Sequence, residues 1–154
     1  MALMGTWVQK DTVEIATTPE KIWDFCANME TNYKKWHPED HILFKWTKGE
    51  PMTEGAKIYG EEIVGGKLLK LSLTCRDLVP YRKYSFKYSF PRSLFVRYDY
   101  LIEPRGDKTA FTAITVLHFP RFVRKQVGQA LEVGAKHVRE EGENMKRLIE
   151  SGAV

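Results

Sequence analysis

The chain has 154 residues, of which 43% are hydrophobic and 29% charged, and its 24 Lys and Arg stand against 20 Asp and Glu for a net charge of +4. That length suits one domain over residues 1 to 154 with a substantial core, and no apolar run approaches the ~20 residues of a membrane-spanning helix. The basic surplus is small and spread along the chain, which argues against a nucleic-acid partner; its densest stretch, Arg121 to Lys125, reads as a solvated face beside a helix start. Residues 1 to 18 lack the basic start and continuous apolar run of a secretory signal, so a cytoplasmic location is expected. Cys26 and Cys75 lie in apolar surroundings without metal-binding spacing and read as reduced core thiols.

Residues 6 to 16 alternate loosely and read as a strand. Thr17-Thr18-Pro19-Glu20 then marks a helix start, with a hydroxyl N-cap, proline at the first position and an acid in the first turn. Ile22, Trp23, Phe25 and Cys26 supply the apolar side of that short helix, and Met29 to Trp36 reads as a second one that Pro38 ends. Strands follow at about 41 to 47, 56 to 64, 67 to 78, 82 to 90, 94 to 103 and 108 to 118. The breaks between them fall at Lys48-Gly49-Glu50-Pro51, Gly65-Gly66, Pro80, Pro91-Arg92-Ser93 and Pro104-Arg105-Gly106-Asp107, and such short connections imply an antiparallel meander. Leu69, Leu71, Leu73 and Cys75 share one strand face, and Tyr84, Phe86, Tyr88 and Phe90 share another, with Lys and Ser between them. From Pro120 to Ser151 the period becomes that of one long helix. The expected class is α+β: a curved, antiparallel seven-stranded sheet wrapped around a long C-terminal helix, with two short helices after the first strand.

The last helix carries an apolar stripe of Val127, Ala130, Leu131, Gly134, Val138, Met145, Leu148 and Ile149, and His137 and Glu141 fall inside it, one turn apart. An imidazole and a carboxylate stacked in this way can share a divalent cation. Glycine inside a helix costs ~1 kcal/mol against alanine, so Gly134 points to a spatial reason, such as room for a ligand. Glu62 shares strand parity with Ile58, Gly60 and Val64, which turns an acid inward. Half of the four histidines lie in Trp36-His37-Pro38-Glu39-Asp40-His41, where strand parity groups His41 with Leu43. A His, Glu, His, Glu set from a loop, a strand and a helix suits zinc. Singly, each residue has an ordinary explanation: Glu141 pairing with Arg139 or Lys146, Glu62 exposed beside Glu61, or His37 and His41 capping a turn.

The order of elements is that of the helix-grip fold, and over essentially its whole length the chain resembles the START-like superfamily, which includes the birch-pollen allergen, aromatase/cyclases and plant hormone receptors. The resemblance implies a cavity between the concave sheet face and the last helix, used for hydrophobic ligands or catalysis. Asn32 to His41, Glu62-Ile63-Val64-Gly65-Gly66 and His137 to Asn144 look like the metal-binding segments of diacetylphloroglucinol hydrolases, in the polyketide-cyclase branch. Those enzymes hold zinc with two histidines and two glutamates and cleave a carbon-carbon bond next to an acyl group on a phenolic ring. The resemblance implies His41, Glu62, His137 and Glu141 as ligands, with His37 as the substitute ligand; in an enzyme built on this set, an inward tyrosine or His37 would be the catalytic group that moves a proton. This chain is much shorter than those hydrolases, so their substrate does not transfer.

The implied partner is therefore a hydrophobic or aromatic small molecule, with Tyr84, Tyr88, Tyr98 and Tyr100 as core or pocket-wall residues. His118 reads as a hydrogen-bonded structural residue. No glycine-rich phosphate loop and no GxSxG motif is present, so no nucleotide cofactor is expected. Two functions fit: a zinc-dependent hydrolase or cyclase of a polyketide-like substrate, and a non-catalytic carrier or sensor of a lipid or aromatic metabolite. Nothing in the sequence speaks to oligomeric state.

Overall fold

The computed structural model describes residues 3 to 154. In chain order the elements are β1 (Met4–Ile15), α1 (Pro19–Ala27), α2 (Met29–Trp36), β2 (His41–Lys48), β3 (Lys57–Val64), β4 (Lys67–Val79), β5 (Lys83–Tyr88), β6 (Val96–Arg105), β7 (Lys108–Pro120) and α3 (Arg124–Glu150). Short 3₁₀ turns over Arg92–Leu94 and Arg121–Val123 precede β6 and α3. The strands form one antiparallel sheet in the order β1-β7-β6-β5-β4-β3-β2, and α3 packs against β1, β7 and β3. This is the expected seven-stranded sheet gripping its last helix.

Local chemistry sets the starts of these elements. Thr18 caps α1 by accepting a hydrogen bond from the Lys21 N–H at 3.3 Å, with Pro19 in the first turn. The helix then buries Ile22, Trp23, Phe25 and Cys26. α2 turns Met29, Tyr33 and Trp36 inward at helical spacing, which places an aromatic pair beside the start of β2. β3 and β4 meet in a tight hairpin at Gly65-Gly66, both with positive φ.

Four details depart from the sequence reading. α3 begins at Arg124 rather than Pro120, because the chain first makes a 3₁₀ turn. β5 stops at Tyr88, so Phe90 leaves the inward face of the sheet and is 78% exposed. Ser85, grouped with the outward residues, is buried and donates to the Asp99 carboxylate at 2.6 Å. In β2 the pairing jumps from His41↔Glu62 to Leu43↔Glu61, so Ile42 is an extra residue. That bulge resets the parity, and His41 faces inward with Phe44 rather than with Leu43.

The core joins α1, α2, the middle of the sheet and the C-terminal half of α3 through Met145, Leu148 and Ile149. Both thiols lie within it: Cys26 and Cys75 are buried and unbridged, and burial pushes each up to about 12. His118 sits at the far end of β7, its Nδ1 3.0 Å from the Thr6 hydroxyl.

Candidate metal centre

Three elements converge below the middle of α3. His41 opens β2 directly opposite Glu62 of β3, so sheet spacing sets their separation; His137 and Glu141 project from one turn of α3. One ligand atom from each of the four lies within 4.8 Å of all the others. His41 Nε2 is 2.8 Å from Glu141 Oε1 and 3.7 Å from Glu62 Oε2. His137 Nε2 is 3.2 Å from Glu141 Oε1 and 3.9 Å from Glu62 Oε2. A His/Glu cluster able to chelate a divalent cation is therefore present.

Each member is held from behind. His41 Nδ1 donates to the Tyr33 backbone carbonyl at 2.9 Å, and its ring stacks on the Tyr33 ring with centroids 3.9 Å apart. His137 Nδ1 donates to Asp40 Oδ2 at 3.2 Å. With both Nδ1 atoms engaged, both Nε2 atoms are directed at the two glutamates, as metal-binding imidazoles are commonly oriented. The Tyr33 hydroxyl donates to Glu62 Oε2 at 2.7 Å, and Trp36 Nε1 donates to the Glu141 backbone carbonyl at 2.7 Å. His137 Nε2 is buried and makes no well-aligned hydrogen bond, and it faces Glu141 Oε1 and Glu62 Oε2 only as an ion-pair neighbour. A cation would satisfy it.

The electrostatics without metal show the same strain. Burial raises Glu62, and the charge of Glu141 raises it further, against the Tyr33 hydrogen bond and the two histidines. For Glu141 burial also pulls upward, but the contacts of His137 and His41 win and lower it to about 2. Burial pulls His137 down, yet the close Glu141 carboxylate, then Glu62 and Asp40, bring it up to about 9. A proton on His137 thus occupies the place that a cation would take.

His37 stands behind this cluster. Its Nε2 is 3.0 Å from Glu140 Oε2 and 3.7 Å from Asp40 Oδ2, and its ring stacks on His137 at 4.9 Å. With Asp40 and His137 it forms a second group of ligand-type atoms.

Two chambers open from the quartet. The inner one, about 90 Å³, is lined by Phe44, Leu71, Tyr84, Phe86, Tyr98 and Tyr100 besides Glu62, His137 and Glu141. The outer one, about 430 Å³, runs under the first half of α3 past Leu131 and Gly134. They share Glu62, Tyr98, Thr115, His137 and Val138, so half of the quartet forms part of the common wall. A Cβ added at Gly134 meets nothing within 4 Å, which accords with open space there. Tyr88, expected as a core or pocket-wall residue, is buried but lines neither chamber; its hydroxyl lies 3.4 Å from that of Tyr98 and the Arg92 guanidinium 4.0 Å over its ring. His37 lines neither chamber. Burial holds the phenols of Tyr33, Tyr84, Tyr98 and Tyr100 well above the usual range, so they remain proton donors.

Several residues escaped the sequence reading. Tyr33 and Asp40 lie within the quoted motif Asn32 to His41, and helical spacing of Tyr33 with Met29 and Trp36 marks it as inward. For Asp40 and Glu140 no periodic signal existed.

Solved structures share this architecture. The chain superposes on the KanY protein with a TM-score of 0.76 at 14% identity, covering 95% of this chain and 99% of that one. For norcoclaurine synthase from Thalictrum flavum the TM-score is 0.71 at 14% identity, covering 97% and 96%. For the major latex-like protein 151 from Panax ginseng it is 0.71 at 10% identity, covering 95% and 97%. The chain has the START-like helix-grip fold. No family model matches it, and no curated protein matches it by sequence. The hydrolase resemblance therefore rests on the ligand motifs alone.

Proposed function

We propose that the protein binds a hydrophobic or aromatic small molecule against a divalent cation, zinc by preference, held by His41, Glu62, His137 and Glu141, and hydrolyses an acyl carbon-carbon bond or an ester there. The observation that carries this reading is the convergence of one ligand atom from each of His41, Glu62, His137 and Glu141 within 4.8 Å of one another, in a group where both histidines have their other nitrogen engaged. Zinc in such a site supplies Lewis acidity toward a carbonyl and lowers the pKa of water to about 7. The chain's own residues have separable tasks. Tyr33 fixes Glu62 through its hydroxyl and His41 through its carbonyl. Asp40 holds the Nδ1 proton of His137, and His37 steadies that side through Asp40 and Glu140. Tyr98, facing both chambers with its phenol protonated, is the proton donor that the substrate meets.

The fold comparisons support the binding half of this reading better than the catalytic half, since one architecture carries both a protein named as a synthase and a major latex-like protein. A second reading, a carrier or sensor of a lipid or aromatic metabolite, draws support from the aromatic walls. Metal analysis of tag-free protein separates the issues. About one equivalent of zinc is expected, with affinity falling more than about 100-fold in His137→Ala and Glu141→Ala and about 10- to 100-fold in Asp40→Ala. A metal-free wild type whose melting temperature ignores added zinc sinks the proposal. Metal-dependent turnover of acyl phenols or esters establishes the enzyme; intact co-purified ligand in native mass spectra, with no turnover by zinc-loaded protein, establishes the carrier.

A further inference from the structure

Three segments frame the outer chamber. The tip of the β3–β4 hairpin contributes Val64 and Leu69, the 3₁₀ turn before β6 contributes Arg92, and the end of β7 with the start of α3 contributes Leu117, Phe119 and Val127. They are held together: a Cβ on Gly65 would lie 2.9 Å from Val133 of α3, and the His118 N–H donates to the Phe95 carbonyl at 2.8 Å. Each segment also turns large apolar side chains into solvent: Leu68 is 54% exposed, Phe90 78%, Leu94 57%, Phe95 41% and Phe122 81%.

The segments that carry these side chains are themselves free of acids; Glu62 in the chamber wall, Asp99 and Glu132 are the nearest in sequence. Residues 64 to 71, 90 to 98 and 117 to 131 contain no Asp or Glu, although the chain holds 20 acids, while Lys67, Arg92, Arg121, Arg124 and Lys125 are all exposed there. Apolar side chains beside a basic rim match the boundary of an anionic bilayer, where acyl chains accept the first and lipid phosphates and carboxylates attract the second. Other occupants match less well. Two such rims repel each other, and the aliphatic Leu68 and Leu94 among the three phenylalanines suit acyl chains better than stacked bases.

We infer that this rim docks on an anionic membrane surface, so that a hydrophobic ligand enters or leaves the outer chamber without crossing water. The inference is independent of the metal, and vesicle binding is expected with and without zinc. The test is co-sedimentation with phosphatidylcholine vesicles against vesicles that also contain phosphatidylserine. Wild-type protein is expected to bind the anionic vesicles, to release them at high salt, and to bind neutral ones weakly. Each basic side chain contributes about fivefold in affinity. The double variant Phe122→Asp with Leu94→Asp, folded by circular dichroism, is expected to lose at least about tenfold. Val79→Asp, a 40% exposed residue at the opposite end of β4, should bind like wild type. Absence of wild-type binding, or unchanged binding by the double variant, overturns the inference; so does a dimeric protein that the double variant converts to monomer.

Discussion

From Arg124 to Lys136 α3 holds no buried residue, whereas from His137 onward it buries His137, Gly142, Met145, Leu148 and Ile149. The apolar stripe is continuous across both halves, through Val127, Leu131 and Val138 to Ile149. What differs is the opposing surface. The second half meets the packed core, and the first half roofs the outer chamber. One amphipathic pattern thus serves two purposes, and the His/Glu cluster lies where they meet.

Substitutions can break or sharpen this contrast. Met145 is fully buried, so Met145→Ala is expected to cost about 2–5 kcal/mol in denaturant unfolding, while Leu131→Ala, over open space, costs under about 1 kcal/mol. Equal losses at the two positions would mean that the chamber collapses onto a core in solution.

The junction should respond to pH in opposite ways with and without metal. His137 is raised from 6.5 to about 9, so its contribution to metal-free stability is complete below about 6.5 and disappears as pH climbs through about 9. Glu62, also raised, loses its contribution in the same direction as pH climbs from 4.5 to its elevated value. Glu141, lowered to about 2, contributes above about 4.5 and fails only as pH falls through about 2. Zinc competes with the His137 proton, so zinc affinity rises over the same interval in which metal-free stability declines. Thermal melts in chelator and in zinc should diverge between about pH 6.5 and 9; parallel curves would remove the cluster as the binding site.

The smallest expected effect concerns two glycines of the same helix. Gly134→Ala has free space and should stabilise by up to about 1 kcal/mol. Gly142→Ala places its Cβ 3.3 Å from Asp11 Oδ2 and 3.5 Å from Val13 Cγ1, so part of that gain is lost to crowding against β1. A larger gain at Gly142 in chemical denaturation would contradict the tight contact.

Pattern and punctuation made the order of elements readable, because proline, glycine and period changes are local signals. The inward turn of Glu62 and the shared face of His137 and Glu141 were readable for the same reason. The inward turn of His41 was anticipated through a parity that does not hold, since a bulge at Ile42 is a matter of pairing between strands. Asp40, Glu140 and the Tyr33 carbonyl act across 97, 103 and 8 residues of sequence, and nothing in their own neighbourhoods announces such partners. Likewise Phe90 obeys the alternation of β5 yet lies beyond the strand's end.

The pairing of His41 with Glu62 across adjacent strands, set against the turn of α3 that carries His137 and Glu141, gives the cluster two jaws on different elements. Strand pairing fixes the first jaw to the sheet; packing and the hydrogen bonds from Trp36 to the Glu141 carbonyl and from His137 to Asp40 hold the second above it. A molecule bulky enough to lift α3 from the sheet must lengthen the distances between the jaws, and a cation gripping both resists the lift. If the proposed cation binds there, cavity occupancy and cation affinity would be coupled, each changing the other by the same factor.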